Sequence, residues 1–157
     1  MNEKKTSKLD LLFADSIMTE AVHVIKRNMT IGQVSHLMLR ERVSGYPVVD
    51  EDGAVVGIVT MTDLFKLIDK MLKREDGLGL DEMKKNNFEE AIKIVKDKPV
   101  TALMSKDVKF LTPETPVTQI IEAVVEKNIH TFPVIKDGKL AGIIGRRDVL
   151  NAVFVYG

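Results

Sequence analysis

Apolar and polar positions along the chain follow two alternating rhythms, and the order of those rhythms occurs twice. A short apolar run at Val22–Ile25 predicts a strand. It is followed by Ile31, Val34, Leu37 and Met38, whose helical spacing behind Thr30 predicts a capped amphipathic helix. Two further apolar runs, Tyr46–Val49 and Val55–Thr60, flank Asp52-Gly53, a pattern that predicts a β-hairpin whose turn needs positive φ. A closing helix is expected over Asp63–Lys73. The second pass begins with a strand at Val108–Leu111. A helix follows, with Thr115 ahead of Pro116 at the first helical position and Val117, Ile120, Val124 and Val125 as its stripe. A hairpin of Phe132–Ile135 and Leu140–Ile144 then turns at Asp137-Gly138, and a helix over Asp148–Phe154 ends the copy.

The recurrence is a duplication. Ile17–Asp50 slides onto Leu103–Lys136 at an offset of 86, which sets Met18 on Met104, Gln33 on Gln119 and Pro47 on Pro133. One residue is lost in the hairpin turn, and the offset becomes 85, with Gly57 on Gly142 and Asp63 on Asp148. Each copy offers strands and helices whose apolar faces need cover, and a core of that size is marginal alone. The expected solution is an α+β fold in which two β-α-β-β-α repeats pack about a pseudo-two-fold axis. The organisation reads as an N-terminal tail at 1–13, repeat 1 at 14–69, an inserted linker at 70–98 and repeat 2 at 99–154. Within the insertion, Gly77-Leu78-Gly79 breaks the chain, and Phe88, Ile92 and Val95 give Asp81–Lys98 one apolar helical face. It reads as a packed linker helix.

Composition narrows the function classes. The 157 residues are 45% hydrophobic and carry 23 basic and 23 acidic side chains, so no basic surface for nucleic acid is expected. There is no cysteine, hence no disulfide framework and no thiolate nucleophile or metal site. No run approaches the roughly 18 apolar residues of a membrane helix, and the charged start MNEKKTSKLDLLF does not read as a signal peptide. A cytoplasmic protein without membrane or nucleic-acid partners is expected. Phosphate-loop and dinucleotide motifs are absent, and His23, His36 and His130 are too scattered for a metal set, so the chain does not read as an enzyme.

The chemistry worth weighing lies at the ends of the hairpins. Residues 57–65 read GIVTMTDLF, and residues 142–150 read GIIGRRDVL, which keeps the aspartate but loses both hydroxyls. A carboxylate at a strand-to-helix junction can accept hydrogen bonds from the vicinal hydroxyls of a ribose. Threonine hydroxyls and the N–H groups of the first helical turn can bind phosphate. The plainer alternative is that Asp63 caps its helix and Thr60 and Thr62 satisfy backbone groups.

The repeated unit with SIMTEAVHV and ALMSKDVKF at the first strand, VSGYPVVDEDG and IHTFPVIKDG at the hairpin, and GIVTMTD and GIIGRRD at its end resembles the cystathionine-β-synthase (CBS) domain pair, or Bateman module. The resemblance spans Ala14–Asp69 and Pro99–Phe154. It implies a regulatory ligand-sensing module that binds adenosine-containing ligands (AMP, ADP, ATP or S-adenosylmethionine) in clefts between the repeats. It also implies a homodimer formed through the closing helices and an output passed to a separate effector protein. Carried onto this chain, it sets Thr60, Thr62 and Asp63 opposite Val108, Lys109, Phe110, His130, Thr131 and Phe132. Conversely, Arg147 and Asp148 face Thr19, Val22, His23, Val24, Ser44, Gly45 and Tyr46. Gly145 departs from the pattern where a hydroxyl is expected; Arg147 can offset it by bidentate phosphate contact, with Arg146 pointing away. The competing reading is an interaction or dimerisation module with vestigial pockets and no nucleotide.

Overall fold

The structure is a computed structural model and describes residues 7–20 and 23–155. In chain order the elements are α1 (Ala14–Ile17), β1 (Ile25–Lys26), α2 (Ile31–Glu41), β2 (Gly45–Val49), β3 (Val55–Thr60), α3 (Met61–Leu72), α4 (Glu82–Lys85), α5 (Phe88–Val95), α6 (Val117–Lys127), β4 (Thr131–Lys136), β5 (Lys139–Gly145) and α7 (Arg146–Phe154). Two compact units result, and their division does not follow the repeats. One unit takes the chain up to His23 together with Val108 onward; the other is Val24–Asp107. Each repeat therefore gives its opening segment to the unit built on the helix and hairpin of the other repeat.

In the unit Val24–Asp107, Thr30 caps α2. Gln33 N donates to Thr30 Oγ1 at 3.2 Å, and Thr30 N donates to Gln33 Oε1 at 2.9 Å, so two otherwise unpaired N–H groups are satisfied. The helix buries Ile31, Val34 and Met38 and stops at Arg42 in the left-handed region, φ 55°. β2 pairs antiparallel with β3 and parallel with β1, through Ile25 opposite Val48. β1 is shorter than the sequence predicts: its apolar anchor, Ile25, is fully buried, whereas Val24 is 37% exposed with nothing to cover. Val22 lies outside the described residues. α3 begins at Met61, two residues ahead of expectation, because Thr60 caps it.

The insertion packs, as expected, but as two helices. Asn87 accepts a hydrogen bond from Glu90 N and so starts α5 afresh after α4. Its buried residues are Ala91 and Val95, in a cluster with Ile31, Leu67 and Met71; Phe88, expected on that face, is 42% exposed. The insertion thus covers an edge of the core that α2 and α3 leave open.

In the other unit, Pro116 precedes α6 instead of opening it. A bridge to Phe13 holds it extended at ψ 140°. Val117 and Ile120 are buried as predicted, but Val125 is 76% exposed and Ala123 takes the buried place. The predicted strand at Val108–Leu111 contracts to one residue: Leu111 bridges Val134 and is 4% exposed, while Phe110 is 47% exposed. The lost residue in the second hairpin now has a physical meaning. Asp137 (φ 52°) and Gly138 (φ 74°) make a two-residue turn between paired Lys136 and Lys139. The first hairpin instead needs a longer loop, with Asp50 Oδ1 accepting from Asp52 N and Ala54 N.

The exchanged segments are seated in matching ways. Ala14 N donates to Thr115 O, and Val100 N donates to Met29 O, both at 2.8 Å. Thr19 exchanges backbone bonds with Ile143 on β5 at 2.9 and 3.0 Å, and Ser105 does so with Ile58 on β3 at 2.8 and 2.9 Å. Gly142 and Gly57 make room for this. A Cβ on Gly142 would lie 2.8 Å from Met18 Sδ and 2.9 Å from Thr19 O; on Gly57 it would lie 2.6 Å from Met104 Sδ and 2.8 Å from Ser105 O. The sulfur can turn aside, but the carbonyls are held in their bridges. Gly142→Ala should therefore destabilise the fold by about 1–3 kcal/mol and lower Tm by several degrees in calorimetry. A Tm equal to that of the wild type would show that the segment is not seated there.

Candidate functional site

The hairpin-to-helix junctions of the two units hold the predicted carboxylates in different surroundings. At the first, Thr60 caps α3, with Asp63 three residues on. Asp63 Oδ2 accepts from Thr60 N at 2.8 Å and from Thr60 Oγ1 at 3.1 Å, while Asp63 N approaches Thr60 Oγ1 at 3.4 Å. The capping role is thus real, and it fixes the carboxylate. Both bonds fall on one oxygen. Asp63 Oδ1 takes no hydrogen bond among the described residues and remains an open acceptor. Thr62 is exposed, its hydroxyl likewise without a partner among the described residues. Gly45 pairs with Thr60 across the hairpin, and Ser44 O accepts from Met61 N at 2.9 Å, which brings Ser44 and Gly45 to the same junction.

At the second junction Gly145 has no side chain, so half of the box survives: Gly145 N donates to Asp148 Oδ2 at 2.7 Å. The missing hydroxyl is replaced from the exchanged segment, with Thr19 Oγ1 donating to Asp148 Oδ1 at 3.1 Å. Thr19 and Asp148, predicted to face each other, are brought together. Arg146 and Arg147 are both exposed in the first turn of α7, where the N-terminal helix dipole adds to their field. Thr131 pairs with Gly145, so His130 and Thr131 reach this junction too.

His130 is not set up as a free cation. Its Nε2 lies 2.7 Å from Asn128 Oδ1. Burial, and then the nearby charge of Arg146, hold its pKa below the ordinary histidine value, so it is largely neutral at pH 7. Arg146, expected to point away, is exposed, and its charge still acts on the ring. Asn128 was not singled out from the sequence. Its sequence signal is the asparagine itself, which tolerates the left-handed conformation that ends α6 at φ 53°; Arg42, the matching residue of the first repeat, adopts the same conformation at φ 55°.

Several predicted ligand residues have their side chains in the core. Tyr46 and Phe132 are 1% and 0% exposed, so neither presents its side chain to a ligand. The Tyr46 hydroxyl donates to Glu41 Oε2 at 2.8 Å, and burial, reinforced by that carboxylate, raises its pKa far above the usual range. His23 and Val24 are exposed. Lys109 and Phe110 instead line a groove of about 290 Å³ with Thr115, Gln119 and Glu122 of the α6 side. No helix among the described residues is long and apolar enough to cross a membrane, and no group of acidic and histidine side chains among them could hold a metal ion.

This architecture is shared. The CBS domain family matches residues 14–70 and 95–155. An uncharacterised 17.7 kDa protein of Acidianus ambivalens is 30% identical over 138 residues, which cover 87% of this chain and 70% of that protein. The chloroplastic CBS domain-containing protein CBSX1 of Arabidopsis thaliana is 30% identical over 140 residues, 85% of this chain and 59% of that protein. Among solved structures, CBSX2 in complex with AMP matches with a TM-score of 0.69 at 24% identity, covering 92% of this chain and 97% of that one. A CBS domain pair in complex with 5′-methylthioadenosine and S-adenosyl-L-methionine matches with a TM-score of 0.68 at 19% identity, covering 93% and 98%. These two likenesses are of fold. Matched twice over most of its length and built on two copies of one helix–hairpin–helix unit, the chain belongs to the CBS domain family and carries two CBS domains in tandem.

Proposed function

We propose that the chain is a regulatory module that senses an adenosine-containing ligand (AMP, ADP, ATP or S-adenosylmethionine), with Asp63 and Asp148 as the ribose-accepting carboxylates. The observation that carries this reading is Asp63 itself: one oxygen is fixed by Thr60, and the other is left open at a helix start. A capping role needs only the first oxygen. The open one can accept ribose hydroxyls, and Thr62 with the first N–H groups of α3 supports an adjoining phosphate. The ligands present in the two structural relatives agree in containing adenosine. At Asp148 the exposed Arg146 and Arg147 favour more highly phosphorylated ligands, through charge that salt screens. No catalytic step is assigned: a carboxylate already committed to a cap and a neutral histidine bonded to an amide are binding chemistry. The output passes to an effector protein, and the setting that suits a nucleotide sensor is the cytoplasm.

The same reading includes a homodimer. α3 leaves Phe65 and Leu72 exposed at 67% and 65%, and α7 leaves Leu150 and Phe154 exposed at 55% and 80%. Apolar faces of that extent on the closing helices favour burial against a second copy. Light scattering at micromolar concentration should return twice the 17.6 kDa chain mass; the single mass would contradict the dimer.

Calorimetry with AMP, ADP, ATP and S-adenosylmethionine tests the ligand reading. Asp63→Asn keeps an acceptor for Thr60 N but removes the charge, and should weaken the site by about tenfold, the difference between a charged and a neutral hydrogen bond. The remaining affinity, at Asp148, should fall as salt rises. Unchanged affinity in Asp63→Asn would overturn the assignment.

A pH profile tests His130. Its folded pKa lies below the unfolded value of about 6.5. As pH falls through that value the unfolded chain gains a proton that the folded chain resists, so stability falls and then levels off below the folded pKa. Between about pH 7.5 and about pH 5.5, Tm should drop less in His130→Gln than in the wild type. Equal drops would show that the ring titrates freely.

A further inference from the structure

Thr19 stands at the position of repeat 1 that matches Ser105 of repeat 2, and both make the same backbone pairing with a hairpin strand. Their side chains differ in what they do. Thr19 Oγ1 donates to Asp148 Oδ1 at 3.1 Å, whereas Ser105 makes no side-chain hydrogen bond to Asp63 among the described residues. The contrast follows the local sequence. Thr60 supplies Asp63 with a hydroxyl three residues away, at 3.1 Å; Gly145, at the equivalent position, has none to give. The hydroxyl that orients Asp148 comes from 129 residues away in the chain. We infer that Thr19 is a positioning residue for the Asp148 carboxylate, so that ligand binding at Asp148 is coupled to the seating of the opening segment 7–19, while the Asp63 site is independent of it. This rests on the reading of Asp148 as a ribose acceptor.

The two carboxylates differ in how they are anchored. Thr60 belongs to the same capped turn as Asp63, so the orientation of that carboxylate persists as long as α3 does. Asp148 Oδ2 is held by Gly145 N in the same local manner, but among the described residues its Oδ1 is held only through Thr19. Thr19 in turn is held by its two bonds to Ile143, by Met18 in the space over Gly142, and by the Ala14 N to Thr115 O bond earlier in the segment. Unseating the segment frees Oδ1 to rotate, and a ligand that accepts the fixed geometry must favour the seated segment by the same factor. The segment is thereby a place where occupancy of the Asp148 site is legible to a partner, and the Asp63 site has no such outlet.

The test uses the full chain and the variants Thr19→Val, which keeps the shape and loses the hydroxyl, Thr19→Ser, which restores it, and Asp148→Asn. In unliganded protein, hydrogen exchange of the amides of Met18, Thr19 and Ile143 should speed up several-fold in Thr19→Val and return towards wild type in Thr19→Ser. Thr19→Val combined with Asp148→Asn should add little to either single variant. In calorimetry with AMP and ATP, Thr19→Val should weaken the salt-sensitive class of sites by three- to tenfold and leave the Asp63 class unchanged. Exchange unaltered by Thr19→Val, additive effects in the double variant, equal weakening of both classes, or tighter binding would each overturn the coupling. If neither nucleotide binds the wild type, the ligand reading fails, and the exchange data alone then decide whether Thr19 anchors Asp148.

Discussion

Two backbone pairings, Thr19 with Ile143 and Ser105 with Ile58, are the constraint on which the rest depends. Each joins the opening segment of one repeat to the outer strand of the other repeat's hairpin, next to a glycine that leaves space for the methionine just before it. Neither repeat closes its own core. Ala14, from the first opening segment, and Val100, from the second, are both fully buried, in clusters built on the opposite repeat. The duplication visible in the sequence is therefore read by the chain as an exchange. The loss of stability that each half would suffer alone is offset by the other half's segment.

The proposed function draws on the same exchange. A strand that ends in a helix start presents unpaired N–H groups, and a carboxylate three residues in satisfies one of them. That much is housekeeping. What makes the junctions chemically useful is the way the hydroxyl is supplied. Thr60 supplies it locally and leaves one oxygen of Asp63 open; Thr19 supplies it across the exchange and ties Asp148 to a distant part of the chain. One repeated motif thus yields two carboxylates of different anchorage, and the difference traces to a single missing side chain, at Gly145.

Much of this was legible in the order of residues. The hairpins, the cap at Thr30 and the two carboxylates all rest on local signals, namely Asp-Gly turns, helical spacing and hydroxyls ahead of apolar stripes. The first strands are shorter than their apolar runs predict, since a run such as Val108–Leu111 says nothing of how much partner strand is there to meet it. A helix start at Pro116 falls one residue early because the bridge from Pro116 to Phe13 is non-local. The resemblance sets Tyr46 and Phe132 in the pockets by position in the motif, and position does not reveal that these side chains point inward. The Thr19–Asp148 bond had no local signal, because a contact 129 residues apart has none.

Everything proposed for this chain turns on whether the two junction carboxylates bind the sugar of an adenosine ligand. An NMR titration of the amide spectrum with AMP and S-adenosylmethionine addresses it residue by residue. Saturable shifts should centre on Thr60, Thr62 and Asp63, and on Thr19, Gly145 and Asp148, with the buried amides of Val34 and Ile120 unmoved. Saturable shifts elsewhere that leave both junctions untouched, or none at all with either ligand, would contradict it.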